Sequence, residues 1–188
     1  MSRIIAALAA LLLFLTPSAI ARDDVSDDET YDQQTVIGEA SDFLGDTTEG
    51  LAKIIEKIFA ENGRPNAYIK GTEAGGGFIV GLVYGSGTLT HKIEGDRLVH
   101  WTGPSIGFDV GGNASKVFTL VYNLYDTEDI YRRYPAIEGS FYFIGGVGVN
   151  YQRRGEITVA PIRLGGGLRA QAALGYTHFT KKRKFVPF

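Results

Sequence analysis

The chain contains no cysteine, which excludes disulfides, thiolate metal sites and a lipid anchor on a cysteine. Histidine is almost as scarce. His91, His100 and His178 are the full set, and no two of them stand at the i, i+4 spacing that would turn both toward one metal from a helix. Each falls on a predicted strand near aromatic residues, which reads as a structural or exposed histidine. Long apolar runs are also missing. The longest, at 4–15, covers 12 residues, whereas a membrane-spanning helix needs about 20. With Arg3 before it and Ala19-Ile20-Ala21 after it, the run reads as a signal peptide over 1–21, cleaved after Ala21 and implying export to the periplasm.

The marks of catalysis are absent too. No G-x-S-x-G occurs: Gly85-Ser86-Gly87 lacks the spacing, and Gly103-Pro104-Ser105-Ile106-Gly107 puts proline directly before the serine. The stretch from Gly107 to Lys116 imitates a phosphate loop, but Gly-Lys-Ser/Thr is missing and Val117 to Leu124 alternates as a strand rather than opening a helix. No nucleophile and base can be paired, so no catalytic, cofactor or metal residues are assigned and the expectation is a protein that is not an enzyme. Asp109, a carboxylate between Phe108 and Val110, is either a hydrogen-bonded structural group or a polar group lining a pocket.

What the chain has in abundance is glycine, 25 of 188 residues, together with 12% aromatics. That pairing argues against disorder and for tightly curved strands. From Asn66 onward the pattern has period two: Phe78, Val80, Leu82 and Tyr84 alternate with Ile79, Gly81, Val83 and Gly85. Strands are predicted at 67–71, 78–85, 87–92, 97–101, 105–110, 116–124, 141–152, 156–164 and 168–180. Turn signals at Glu94-Gly95-Asp96, Gly111-Gly112-Asn113 and Arg154-Gly155 separate them, implying an antiparallel meander. Glycine runs such as Gly145-Gly146 suggest bulges or sharp coiling. Residues 125–134 break the rhythm with a helical turn. Ahead of the strands, Asp46-Thr47-Thr48-Glu49 resembles a capping box. Leu51, Ile54, Ile55, Ile58 and Phe59 follow on one helix face, which Gly63 and Pro65 terminate. This helix is expected to cover the β core.

Charge is distributed unevenly. Residues 22–49 hold ten carboxylates against Arg22, a net of −9, whereas from Gly50 onward 17 Lys and Arg face 11 Asp and Glu, a net of +6. Residues 22–34 are therefore expected to form an acidic, disordered leader, with 35–188 as a single domain. The basic surplus falls largely in predicted loops and the tail: Arg132, Arg133, Arg153, Arg154, Lys181, Lys182, Arg183 and Lys184. These residues, with Trp101 and Asp109, are the candidate binding residues, suited to an anionic lipid or envelope glycan at a peripheral membrane contact. A periplasmic protein partner is the other possibility, and nothing suggests nucleic acid.

Several longer motifs carry a family resemblance: Pro65-Asn66-Ala67-Tyr68-Ile69, Gly103-Pro104-Ser105-Ile106-Gly107-Phe108-Asp109-Val110-Gly111-Gly112, Val121-Tyr122-Asn123-Leu124, Glu138-Gly139-Ser140 and Gly145 through Gln152. Over residues 36–188 they resemble the EipA-like periplasmic envelope-integrity family. The resemblance implies a mainly β fold, a small Gly-rich antiparallel β-barrel of about eight strands with one N-terminal helix packed on it. It also implies a role in envelope integrity under stress, with no enzymatic residues to carry over. Residues 103–124 are similar, over about one strand pair, to SYLF lipid-binding domains. The competing reading is an eight-stranded outer-membrane barrel, which Gly/aromatic strands and the terminal Phe188 permit. Against it, Lys181 to Lys184 and Pro187 occupy what would be its last lipid-facing strand.

Overall fold

Period-two alternation becomes eight strands that close on themselves. The computed structural model describes residues 27–45, 49–76, 80–106, 114–164 and 175–184. The strands are β1 (Ala67–Gly76), β2 (Val80–His91), β3 (Gly95–Ile106), β4 (Ser115–Tyr122), β5 (Arg133–Ile144), β6 (Val147–Arg154), β7 (Ile157–Leu164) and β8 (Tyr176–Thr180). Two helices precede them, α1 (Gln33–Leu44) and α2 (Glu49–Asn62), and a short 3-10 turn at Thr127–Ile130 lies between β4 and β5. The signal peptide, Asp109, and the turn expected at Gly111 to Asn113 lie outside the described residues.

All neighbouring strands are antiparallel, in the closed order β1-β2-β3-β8-β5-β6-β7-β4. This is not the simple meander expected. In each half, three hairpin-linked strands are followed by a fourth that returns beside the first, β4 beside β1 and β8 beside β5. The barrel is thus two Greek keys, each in the order 4-1-2-3, joined edge to edge. Alternation identifies strands but not their neighbours, which is why the crossing was invisible.

Local chemistry explains where strands end. Gly145 and Gly146 both have positive φ, 56° and 85°, the signature of a two-residue hairpin turn. The single strand expected over 141–152 is therefore the end of β5, a turn and β6. Conversely, the expected strand at 97–101 and the first two residues of the one expected at 105–110, Ser105 and Ile106, lie in one continuous β3, and 107–110 are outside the described residues. In the β6–β7 ladder the pairing runs Val149↔Ile162 and resumes at Gln152↔Val159; the gap falls at Pro161, which has no N–H to give.

Inward and outward residues build two separate cores. Inside the barrel, Ile69, Leu89, Val99, Trp101, Val121, Tyr134 and Phe179 pack together, and Leu124 and Ile130 close the end where β1 begins. On the outside, α1 and α2 lie on one wall. Leu51, Ile54, Ile55 and Ile58 of α2 and Val36 and Ala40 of α1 bury against Tyr68, Phe118, Val149 and Ile162. The stripe expected on α2 is thus inward, with Ile54 fully buried and Phe59 half-buried at its edge. Gly50 lets the first turn of α2 reach the β5–β6 hairpin, since a Cβ there would stand 2.7 Å from the Gly145 and Ile144 oxygens.

The acidic leader requires a correction at its C-terminal end. Asp32 caps α1, its carboxylate accepting from Thr35 N–H at 2.9 Å, and Tyr31 N–H donates to the Pro65 carbonyl at 2.8 Å. The Tyr31 ring packs on Tyr68 with centroids 5.1 Å apart, and Thr30 is buried. These residues belong to the fold, and α1 is a second helix that was not expected.

Candidate functional site

The three histidines divide into two kinds. His91 is buried at the closed end, where Ile93 and Glu94 N–H groups donate to its Nδ1 at 3.3 and 3.1 Å. Nδ1 is therefore an acceptor, so Nε2 carries the proton and donates to the Leu124 carbonyl at 2.7 Å. Asn66 fastens the same carbonyl with its side-chain amide at 2.7 Å. This is a structural knot, as expected of a satisfied core histidine. His100 and His178 instead sit on the outer face of adjacent strands: His178 pairs with Thr102, two residues from His100 on β3. The Nδ1 atoms of both rings and the hydroxyl of Thr102 are buried without a partner among the described residues. Burial, with Arg133 and Lys184 nearby, holds the His178 imidazole below the usual histidine range.

Among the described residues two places could receive a ligand, the lumen and this outer face. Midway along the lumen the apolar core gives way to a polar layer. Arg163 ion-pairs with Glu73, itself 3% exposed, and its Nη2 donates to Glu73 Oε2 at 3.1 Å. Arg163 Nη1 also donates to Asn150 Oδ1 at 3.2 Å, and Trp101 Nε1 reaches Glu73 Oε2 at 3.4 Å. Asn150 Nδ2 and Gln152 Oε1 are buried without partners among the described residues, beside the gap that Pro161 leaves in the ladder. The voids there measure about 20 and about 10 Å³, room for about one water each. The lumen at this level is a packed core rather than a pocket.

The outer face is different in scale. A groove of about 350 Å³ runs over β1, β2 and β3, lined by Thr72, Tyr84, Ser86, His100 and Thr102, with Arg183 and Lys184 from the tail after β8. That size falls at the lower end of small-molecule sites. Its floor is thin because of glycine. A Cβ on Gly85 would stand 2.0 Å from Trp101 Cε2, so the indole lies across β2 from inside the barrel. Trp101 is 5% exposed. Its side chain therefore belongs to the interior, as expected of a core aromatic, and through the missing side chain of Gly85 it also lines the groove's floor.

The cations proposed from sequence partly converge. β5 begins with Arg133, whose guanidinium lies 5.5 Å from the Tyr176 ring centroid. Arg154, at the end of β6, donates to the Arg133 carbonyl at 3.4 Å. Arg132 and Lys181 meet there too, but each is ion-paired to the 3-10 turn, Arg132 with Asp129 and Lys181 with Glu128. Their charge is largely cancelled. Arg153 Nε donates to Thr158 Oγ1 at 3.0 Å. After β8 the Thr180 hydroxyl donates to the Lys182 carbonyl at 2.8 Å, fixing the turn from which Arg183 and Lys184 reach the groove. His100, Thr102 and His178 escaped sequence reasoning, because the pairing of β3 with β8 that unites them leaves no local signal.

Fold and site together define a small double Greek-key barrel, helix-covered on one wall and carrying a polar, cation-edged groove on the other. The chain belongs to the envelope integrity protein A family, whose model matches residues 29–188. It is similar to a crystal structure described as a β-barrel-like, uncharacterized protein from Brucella abortus, at 44% identity and a TM-score of 0.79, covering 85% of this chain and 99% of that one. No curated protein matches. Membership associates the chain with the cell envelope. Among the described residues no helix is long and apolar enough to cross a membrane, and no group of three or more His, Asp and Glu is placed to hold a metal. The outer-membrane alternative is not favoured. A membrane barrel presents an apolar belt outward, whereas here one wall is covered by helices and the other presents Thr72, Ser86, Thr88 and His100.

Proposed function

We propose that the protein is a non-enzymatic periplasmic module that supports envelope integrity by holding an anionic component, such as a lipid headgroup or envelope glycan, against its basic edge. The observation that carries this reading is the meeting of Arg133 and Arg154 where β5 begins and β6 ends, with Lys182, Arg183 and Lys184 following directly after β8. Hydrogen bonds to a carbonyl and a hydroxyl position Arg154 and Arg153 without cancelling their charge. Adjacent cations reinforce one another at an anionic surface, each contributing about 1 kcal/mol. The family's description and the expected signal peptide support the periplasmic placement.

Vesicle flotation tests it. Anionic vesicles should carry the protein and neutral ones should not, raised salt should release it, and Arg133→Ala with Arg154→Ala should weaken recovery roughly thirtyfold for about 2 kcal/mol lost. Equal recovery with neutral and anionic lipid would reduce the basic edge to a solubility feature.

A further inference from the structure

We propose that the groove over β2 and β3 is a phosphoester site, with Thr102 and His100 as the hydrogen-bonding pair at its floor and Arg183 and Lys184 as its counter-charges. The inference deepens the binding reading above, on which it rests for the sign of the ligand's charge. It adds Thr102 and His100, which the basic edge does not use, and shares Arg183 and Lys184 with that edge.

The first support is hydrogen-bonding capacity left unused. Thr102 is 2% exposed, yet its hydroxyl has no partner among the described residues and it lines the groove. A buried hydroxyl without a partner costs about 1–3 kcal/mol, so an isolated case invites a partner. Here three such atoms lie on two paired strands, the Thr102 hydroxyl and the Nδ1 atoms of His100 and His178.

Charge then selects the ligand class. The charged residues lining the groove are Arg183, Lys184 and Glu73, and Glu73 is already engaged by Arg163 on the lumen side. Arg133 stands beside His178, opposite it across the β5–β8 pair. A metal cation would meet repulsion from all three bases and no free carboxylate. A neutral sugar would use the hydroxyl and imidazole but leave the cations idle. A carboxylate offers two oxygens to a set of one imidazole, a hydroxyl and two cationic side chains. A phosphoester offers three or four acceptor oxygens, which matches that donor set. The volume of about 350 Å³ leaves space beyond the phosphate for an organic portion, against which Tyr84 forms a wall. That portion could be a free metabolite or a lipid headgroup, and the same contacts would serve either.

The test uses the full mature chain and side-chain NMR of the imidazoles. Glycerol 3-phosphate is the free probe, and vesicles of phosphatidic acid in phosphatidylcholine are the lipid probe. Movement of the His100 and His178 ring signals with either probe, and not with equal chloride, is expected. Response to both identifies a free phosphoester, and response to the vesicles alone identifies a headgroup. Thr102→Val keeps the side-chain shape and should weaken the response about tenfold, as loss of a hydrogen bond to a charged group does. His100→Gln should weaken it comparably. Arg153→Ala with Arg154→Ala, both remote from the groove lining, should spare the glycerol 3-phosphate response while lowering flotation, so failure of the basic edge and failure of the groove are told apart. Still imidazole signals with both probes, or an undiminished response in Thr102→Val, would overturn the assignment.

Discussion

The two walls of the barrel solve the same problem in opposite ways. Under α1 and α2, the outer faces of β4, β6 and β7 present Phe118, Leu120, Val149, Tyr151 and Ile162, and helix side chains bury them. The Tyr151 hydroxyl, brought under α2, donates to Glu61 at 2.6 Å. Orphan hydroxyls occur on this side at Thr30 and Tyr122, but separately, and burial pushes the Tyr122 phenol well up. Across the barrel, no described helix lies over the outer faces of β2 and β3. There, three unpartnered polar atoms gather on two paired strands beside a groove. Buried apolar area holds a fold together, whereas unused polar capacity gathered beside a groove is what a ligand can engage. On the proposed reading, the covered wall carries stability and the bare one recognition.

The largest effect that would test this division is Ile55→Asp. Ile55 is 0% exposed between α2 and the barrel, so the substitution sets an unpaired charge in an apolar contact. A loss of about 4 kcal/mol or more is expected, read as a fall in the urea midpoint. On the bare wall, His100→Gln should shift the same midpoint by only a few tenths of a kcal/mol. If Ile55→Asp folds normally, the helices are not the barrel's cover but a detachable surface.

Much of the covered wall could be read in advance. The α2 stripe at Leu51, Ile54, Ile55 and Ile58 needs only the helical period, and the strands need only alternation. Helix α1 was hidden by its surroundings. Asp27, Asp28, Glu29 and Asp32 give the composition of a disordered leader, although Asp32 is also the cap that starts the helix and Val36, Ala40 and Phe43 follow at near-helical spacing. The first half of β5 was masked by Pro135 and Gly139. The chain accommodates them through an irregularity between Ala136 and Phe141, which Ser140 stitches by accepting from Tyr151 N–H at 3.2 Å. The groove was the least legible element. Its residues come from β1, β2, β3 and the tail, and the Greek-key order that joins them is a property of strand neighbours, which periodicity does not encode.

A smaller effect sharpens the contrast with one substitution made on both sides. Thr158 is 2% exposed and accepts a hydrogen bond from Arg153 Nε at 3.0 Å, so Thr158→Val should cost about 1 kcal/mol. Thr102 is equally buried but unpartnered among the described residues. Thr102→Val removes a hydroxyl that burial penalises, and should stabilise the ligand-free protein by about 1 kcal/mol. Opposite signs in thermal or urea unfolding are the expected outcome. Destabilisation at both positions would mean that the Thr102 hydroxyl is structural.

The smallest effect is a pH dependence seated on His178. Its imidazole is held below the usual range by burial first, then by Arg133 and Lys184, so in the folded state it binds its proton later than in the unfolded chain. As pH falls below about 6.5, the unfolded state takes up the proton first and stability declines. The decline ends once pH has passed below the lowered folded value and both states are charged. Because the ring is partly exposed, the change should be modest, visible as a drop in Tm between pH 7.5 and 5 that His178→Gln flattens. Binding of an anion beside the ring reverses the sign of this effect. It favours the imidazolium and draws the folded value upward, so glycerol 3-phosphate should remove part of the acid-side loss in wild type and none in His178→Gln. A wild-type Tm profile that glycerol 3-phosphate leaves unchanged would separate His178 from the groove, and with it the idea that the bare wall's two histidines serve one ligand.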